Sequence, residues 1–216
     1  MRLVAETDEA AIDLVVELRK PIVLQGDRGL SQKGPEPGNA SFYYSATRLE
    51  ARGSVTVGED VQSVAGSAWL DREWSTSALS GGQAGWDWFA IQLDDGRELM
   101  LYRLRRADGT TRRLGSDDVS YEPLRWWSSA LSGVSYPVEW QLRIDPLDLE
   151  LETTPMIDAS ELDLSVRYWE GAIRASGREG SKRVSGRGFL EMTGYQKPVP
   201  GSPLKGPTTF EVIQPP

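Results

Sequence analysis

Asp71 and Glu73 stand two residues apart in the stretch 66–93, GSAWLDREWSTSALSGGQAGWDWFAIQL, which also holds Trp69, Trp74, Trp86 and Trp88, half of the chain's eight tryptophans. In an extended strand side chains alternate between faces. Trp69, Asp71 and Glu73 then share one face, and Leu70, Arg72 and Trp74 the other. Two carboxylates in line with an indole permit acid chemistry. A carboxyl group in an apolar, indole-lined pocket has its pKa raised by desolvation, and a second carboxylate nearby raises it further. Such an acid can protonate an unactivated double bond, and indole faces stabilise the cation that forms. In this reading Asp71 is the acid, Glu73 its charged neighbour, and Tyr43 or Tyr44 the group that holds water. In the structural alternative Asp71 pairs with Arg72 or another arginine and closes one end of a barrel. Both remain open on the residues alone.

Other clusters invite similar weighing. Trp86 and Trp88 also share a strand face, as a ligand wall or as barrel core. Trp126 and Trp127 are adjacent, so in a strand only one of them can face inward. Asp94-Asp95-Gly96 reads as a turn, not a cation site. GDRGLSQKG at 26–34 lacks the spacing and following helix of a phosphate loop. Five arginines between 103 and 113 read as a solvated hairpin face.

The totals exclude much. A chain of 216 residues suffices for one large or two small β domains. Its net charge of −8 repels phosphate backbones, which argues against nucleic acid as a partner. There is no cysteine, so disulfides and thiolate nucleophiles are absent. There is no histidine, which removes the commonest general base and the usual zinc and non-haem iron ligands. Acid–base chemistry must come from Asp, Glu, Tyr, Lys or Arg, and no metal or cofactor is expected. No apolar run is long enough to span a membrane as a helix, and the N-terminus shows no signal peptide.

The elements that must position these residues are strands. Alternation marks 12–18, 41–49, 53–57, 61–74, 86–93, 98–104, 138–144, 147–151 and 162–166, with a short apolar run at 22–24. Residues 27–39 read as a loop and 75–85 as a junction. DDG at 94–96 closes a hairpin, and ADG at 107–109 leads to a further strand at 110–114. Residues 116–135 are irregular, and 168–176 with 184–193 form a closing hairpin around 177–180. Many short strands at roughly 8–12 residue spacing predict an antiparallel barrel or sandwich.

Several of these blocks carry a family resemblance. GSAWLDREWSTSAL followed by GWDWFAIQLDDGRELMLYRLR, with KPIVLQGDRGLSQKG and NASFYYSATRL upstream and ELDLSVRYWEGAIRASG and GRGFLEMTGY downstream, resembles the AttH/carotenoid 1,2-hydratase family of lipocalin-like proteins over residues 13–195. The resemblance implies an all-β protein of two consecutive lipocalin-like antiparallel β-barrel domains. Residues 1–76 would form the first and 77–197 the second, with 198–216 a Pro/Gly-rich tail. Family members begin with a further stretch carrying Glu-Trp-Trp-Tyr, absent here, so the first domain is expected to be partial, with an open edge prone to dimerise. The hydratase branch adds water across a terminal isoprenoid double bond by acid catalysis, without metal or cofactor. Its catalytic Asp, in an aromatic-x-Asp motif, falls on Asp71 of Trp69-Leu70-Asp71. Its His-x-Trp pair would fall near Tyr43 and Tyr44, and this sequence departs from it. The family is often exported, which leaves the compartment open.

Two functions therefore compete. One is a module binding an apolar lipid or isoprenoid, linked to a transporter-type system, with Tyr43, Trp69, Trp74, Trp86 and Trp88 around the ligand. The other is a cofactor-free hydratase in which Asp71, Glu73 and Tyr44 carry the chemistry. A third reading is a structural fragment that works only with an N-terminal partner.

Overall fold

The computed structural model describes residues 1–33, 38–75, 83–106, 118–164, 166–195 and 209–213. Apart from a single 3-10 turn at Asp145–Leu147, their regular structure is antiparallel strand. The chain divides into two compact units, Met1–Ala78 and Leu79–Pro216.

The first unit comprises β1 (Arg2–Glu6), β2 (Ala10–Leu18), β3 (Val23–Leu24), β4 (Leu30–Gln32), β5 (Ala40–Val57) and β6 (Asp60–Trp74). Strand β5 is its spine. Strand β6 follows one edge from Phe42↔Trp74 to Val57↔Asp60, while β4, β3 and β2 share the other and β1 pairs with β2. Residues 53–57, read from the sequence as a short strand or the continuation of 41–49, are the continuation, and Gly53 lets the chains stay close. A Cβ there would lie 1.9 Å from the Asp13 carbonyl oxygen. A bulge between Ala46 and Leu49 sets two residues of β5 against one of β6.

Cross-strand partners share a face, so the two sides of this sheet differ. One side carries a small core of Val16, Ala46 and Leu49, backed by Ala51, Ala68 and Leu70. Further along it stand Leu24, Leu30, Phe42 and Trp74, all exposed. The other side carries Ser41, Tyr43 and Ser45 opposite Glu73 and Asp71. Strand β1 was not legible as a strand because every side chain on it is exposed; backbone pairing and the Arg2–Asp13 ion pair (2.5 Å) hold it.

The second unit comprises β7 (Gln83–Leu93), β8 (Glu98–Arg106), β9 (Val119–Ser128), β10 (Ser135–Ile144), β11 (Leu149–Pro155), β12 (Glu161–Asp163), β13 (Arg167–Glu179), β14 (Lys182–Thr193) and β15 (Thr209–Ile213). They order as β15-β8-β7-β14-β13-β11-β10-β9, with β12 added beside β13. Strand β8 connects to β9 only through the five strands between them. Yet the Arg103 guanidinium of β8 lies 5.2 Å from the Tyr121 ring of β9, and the Phe89 ring of β7 5.9 Å from that ring. The sheet therefore curls as a half-barrel around its own core, in which Phe89, Ile91, Leu101, Trp140, Leu142 and Trp169 are fully buried. Each such side chain contributes about 1.5–3 kcal/mol on leaving water.

Three expectations change here. The irregular stretch 116–135 contains all of β9, whose burial alternates strictly although its hydrophobicity does not. Arg125 takes a partly buried position beside Glu139 (2.7 Å) and Asp158 (2.7 Å), while Leu124 and Trp126 are exposed. The closing hairpin turns at Gly180 (φ 54°), and Gly177 lies within β13. Thr209–Ile213, expected as tail, pairs with β8. The turn at 107–109, the strand at 110–114 and most of the 75–85 junction lie outside the described residues.

Candidate functional site

Asp71 sits on β6 directly opposite Ser45 of β5, and Glu73 opposite Tyr43. These four side chains therefore share one face, and Trp69 joins them from two residues up β6. The Asp71 carboxylate accepts three hydrogen bonds: Tyr43 Oη donates to Oδ2 (2.7 Å), while Ser45 Oγ (2.5 Å) and Trp69 Nε1 (2.8 Å) donate to Oδ1. Ser45 in turn accepts from Gln25 Nε2 at 2.9 Å. Gln25, Ser45 and Tyr43 are buried; Asp71 keeps some exposed surface, but its carboxyl group keeps little. Beside it Lys33 Nζ lies 2.6 Å from Glu73 Oε1, which also accepts from Ser41 Oγ, and 5.1 Å from the centre of the Tyr43 ring.

Burial is the largest influence on the Asp71 carboxyl and pushes its pKa up. The hydrogen bonds from Ser45, Tyr43 and Trp69 pull it down, and the negative charge of Glu73 pushes it up again; the net shift is upward. The donor pattern also locates the proton. The Trp69 indole N–H can only donate and holds Oδ1 as an acceptor, whereas the Tyr43 hydroxyl on Oδ2 can accept as well as donate. Oδ2 is therefore the favoured place for a proton on the acid form. The site is thus a carboxyl group, its pKa raised by burial, beside a phenol and an indole.

The expected residues divide. Asp71, Glu73, Tyr43 and Trp69 come together. Tyr44 and Trp74 do not reach them: both lie on the opposite face, ring centres 5.6 Å apart, because alternation turns every second residue of β5 and β6 away. Of the two tyrosines considered for Asp71, Tyr43 reaches its carboxyl group and Tyr44, expected among the catalytic residues, does not. Trp86 and Trp88 belong to the second unit and do not line its interior; on β7 the buried, inward residues are Asp87, Phe89 and Ile91. Trp86 instead donates from Nε1 to Glu191 (2.6 Å) and packs edge-on against Tyr168. Gln25, Lys33, Ser41 and Ser45 join the site without any signal in the sequence that places them there. Gln25 and Lys33 come from the stretch that holds β3, its turn and β4, where nothing is periodic, and only pairing with β5 brings them in.

A second charged cluster lies inside the second unit. Asp87, fully buried, meets Arg103 Nη2 (2.5 Å), Arg105 Nε (3.2 Å) and the Tyr195 hydroxyl (2.8 Å). Arg105 stacks 3.8 Å from the Tyr195 ring centre, and Arg103 lies 5.1 Å from that of Trp140. Burial would raise the Asp87 pKa, but the charges of Arg105 and Arg103 hold it below the usual carboxylate range. The solvated arginine face expected at 103–113 is thereby corrected for Arg103 and Arg105; the other three arginine side chains lie outside the described residues. Among the described residues no group of three or more Asp and Glu side chains is placed to hold a metal ion, and no helix is long and apolar enough to cross a membrane.

The AttH-like family model matches residues 1–195. This chain belongs to the AttH-like family. A Nitrosomonas europaea protein assigned as an AttH has a crystal structure that superimposes with a TM-score of 0.79 at 36% identity, covering 90% of this chain and 64% of that one. Kievitone hydratase of Nectria haematococca shares the fold, with a TM-score of 0.68 at 23% identity over 89% of this chain and 64% of that one. Kievitone hydratase of Fusarium solani subsp. phaseoli is 22% identical over 212 residues, covering 88% of this chain and 59% of that protein. The AttH-like chain described here thus spans less than two thirds of the length of these relatives.

Proposed function

We propose that this AttH-like protein adds water to an isolated carbon–carbon double bond of an apolar, isoprenoid-type substrate, with Asp71 as the acid and no cofactor. The observation that carries the reading is the Asp71 carboxyl: largely buried, raised in pKa, bonded on Oδ1 by the Trp69 indole, which can only donate, and able to hold a proton on Oδ2 against Tyr43. The similarity to kievitone hydratase supports a hydration reaction without naming the substrate. In the first step the Oδ2 proton passes to the less substituted alkene carbon and the π electrons form the new C–H bond. The more substituted carbon becomes a cation, stabilised by the Trp69 face and by the Asp71 carboxylate just formed. Water attacks that carbon through its lone pair, and its surplus proton returns to Oδ2, so the acid is regenerated. Incubation with prenylated substrates in oxygen-18 water tests the reaction: one labelled oxygen per product is expected from the parent and none from Asp71→Asn. A parent inactive on every isoprenoid alkene offered would refute it.

A second reading, an apolar-ligand-binding module without turnover, is favoured by the exposed row Leu24, Leu30, Phe42 and Trp74 on the opposite face of the sheet. It would be supported by native mass spectrometry of the freshly purified protein that finds a co-purifying lipid or isoprenoid, retained by Asp71→Asn and lost from Phe42→Ser/Trp74→Gln.

A further inference from the structure

One buried polar atom beside the acid has no partner. The Gln25 residue is 1% exposed, its backbone N–H is bonded to the Tyr43 carbonyl at 3.0 Å, and its Nε2 donates to Ser45 Oγ, yet its Oε1 accepts nothing. Reversing the amide does not remove the vacancy. Ser45 Oγ makes one contact with the amide, so one of the two amide atoms is left over in either orientation. A buried carbonyl oxygen left unsatisfied costs about 1–3 kcal/mol, and proteins ordinarily meet that cost with a bound water. This acceptor is two hydrogen bonds from Asp71, through Ser45.

We propose that Gln25 Oε1 binds the water that attacks the cation, making Gln25 the water-orienting residue of the site. This rests on the hydratase reading and deepens it. A carboxamide oxygen suits the task for two reasons. It accepts one water O–H and so leaves the water's oxygen lone pairs available for attack. It is also too weakly basic to take the proton that Asp71 must deliver. The water keeps its second proton until the C–O bond forms, then releases it to the Asp71 carboxylate, so protons balance without a second base. This accounts for hydration in a chain that has no histidine.

Two measurements on the full chain test the assignment. A high-resolution crystal structure is expected to show an ordered water hydrogen-bonded to the Gln25 amide. In deuterium oxide, turnover divides between hydrated product and alkene that has gained deuterium and lost a proton. Gln25→Met, which is nearly isosteric, and Gln25→Leu are expected to lower the ratio of hydrated product to exchanged alkene by about 10²-fold while exchange continues, because protonation survives and only the oriented nucleophile is lost. Two substitutions guard against a folding defect, and exchange by either shows an intact acid. An unchanged ratio, or a Gln25 amide satisfied by protein groups with no water, overturns the assignment. A parent that binds the water but neither hydrates nor exchanges any isoprenoid alkene defeats the hydratase reading and, with it, the attacking role, leaving only a buried water at Gln25.

Discussion

The Tyr43 hydroxyl donates to Asp71 Oδ2 at 2.7 Å across β5 and β6, while Tyr44, the next residue along β5, packs its ring against Trp74 on the far side of the sheet. One step in sequence separates a group that can exchange a proton with the acid from one that cannot. Tyr43→Phe is therefore expected to lower hydration about 10²-fold, the usual worth of a positioned proton-transfer partner. Tyr44→Phe should leave the rate near that of the parent. Steady-state rates of the two variants on the same alkene make the comparison, and equal losses would count against the geometry.

Asp71→Asn should abolish hydration and stabilise the fold at neutral pH. Asparagine fits the site: its carbonyl oxygen can accept from Ser45 and Trp69, and its amide can donate to the Tyr43 hydroxyl. The folded pKa of Asp71 lies above its unfolded value, so the folded state binds the proton more tightly. Its contribution to stability is full below the unfolded pKa and is lost as pH rises through the folded one. The gain in Tm of Asp71→Asn over the parent should therefore be largest at neutral pH and shrink on acidification. Activity of the parent should fall as pH rises through the same folded pKa.

Asp87 behaves in the opposite sense. Its folded pKa is depressed, so its contribution is present above the unfolded pKa and lost as pH falls through the folded one. Asp87→Asn leaves Arg103 and Arg105 buried without their carboxylate and is expected to cost about 3–5 kcal/mol at neutral pH, read from urea denaturation. The deficit relative to the parent should narrow in acid. A deficit independent of pH would mean the pair is not ionised in the fold.

Close strand approach gives a test of the second unit. A Cβ on Gly188 would stand 1.8 Å from the Ala90 carbonyl oxygen across β14 and β7, and neither backbone can yield without breaking the pairing. Gly188→Ala is expected to destabilise by about 3 kcal/mol or more, at the upper end of overpacking costs. Gly66→Ala meets nothing within 4 Å and should be tolerated. Thermal denaturation of both variants checks the contrast.

Periodicity made the strands legible wherever one face is wet and the other dry. It marked β2, most of β5 and β6, the β7–β8 hairpin and the β13–β14 hairpin, since alternation of side chains follows from backbone geometry alone. It failed on β1, where both faces are exposed, and on β9, where Arg125 takes an inward position and Trp126 an exposed one. The same alternation set Asp71, Glu73 and Trp69 on one face.

What the sequence by itself determined is an all-β chain with no histidine or cysteine, in which any acid–base chemistry must come from Asp, Glu, Tyr, Lys or Arg, and which strand neighbours share a face. Only the tertiary structure decided which tyrosine meets Asp71, that Gln25, Lys33 and Ser45 join it, and that Arg103 and Arg105 are buried against Asp87. The reason is physical. Alternation is a local property of the backbone. Register across β5 and β6, the fold-back of the β3–β4 segment onto β5 and the curling of the second sheet are pairings between residues distant in sequence, and they determine which polar groups lose water together.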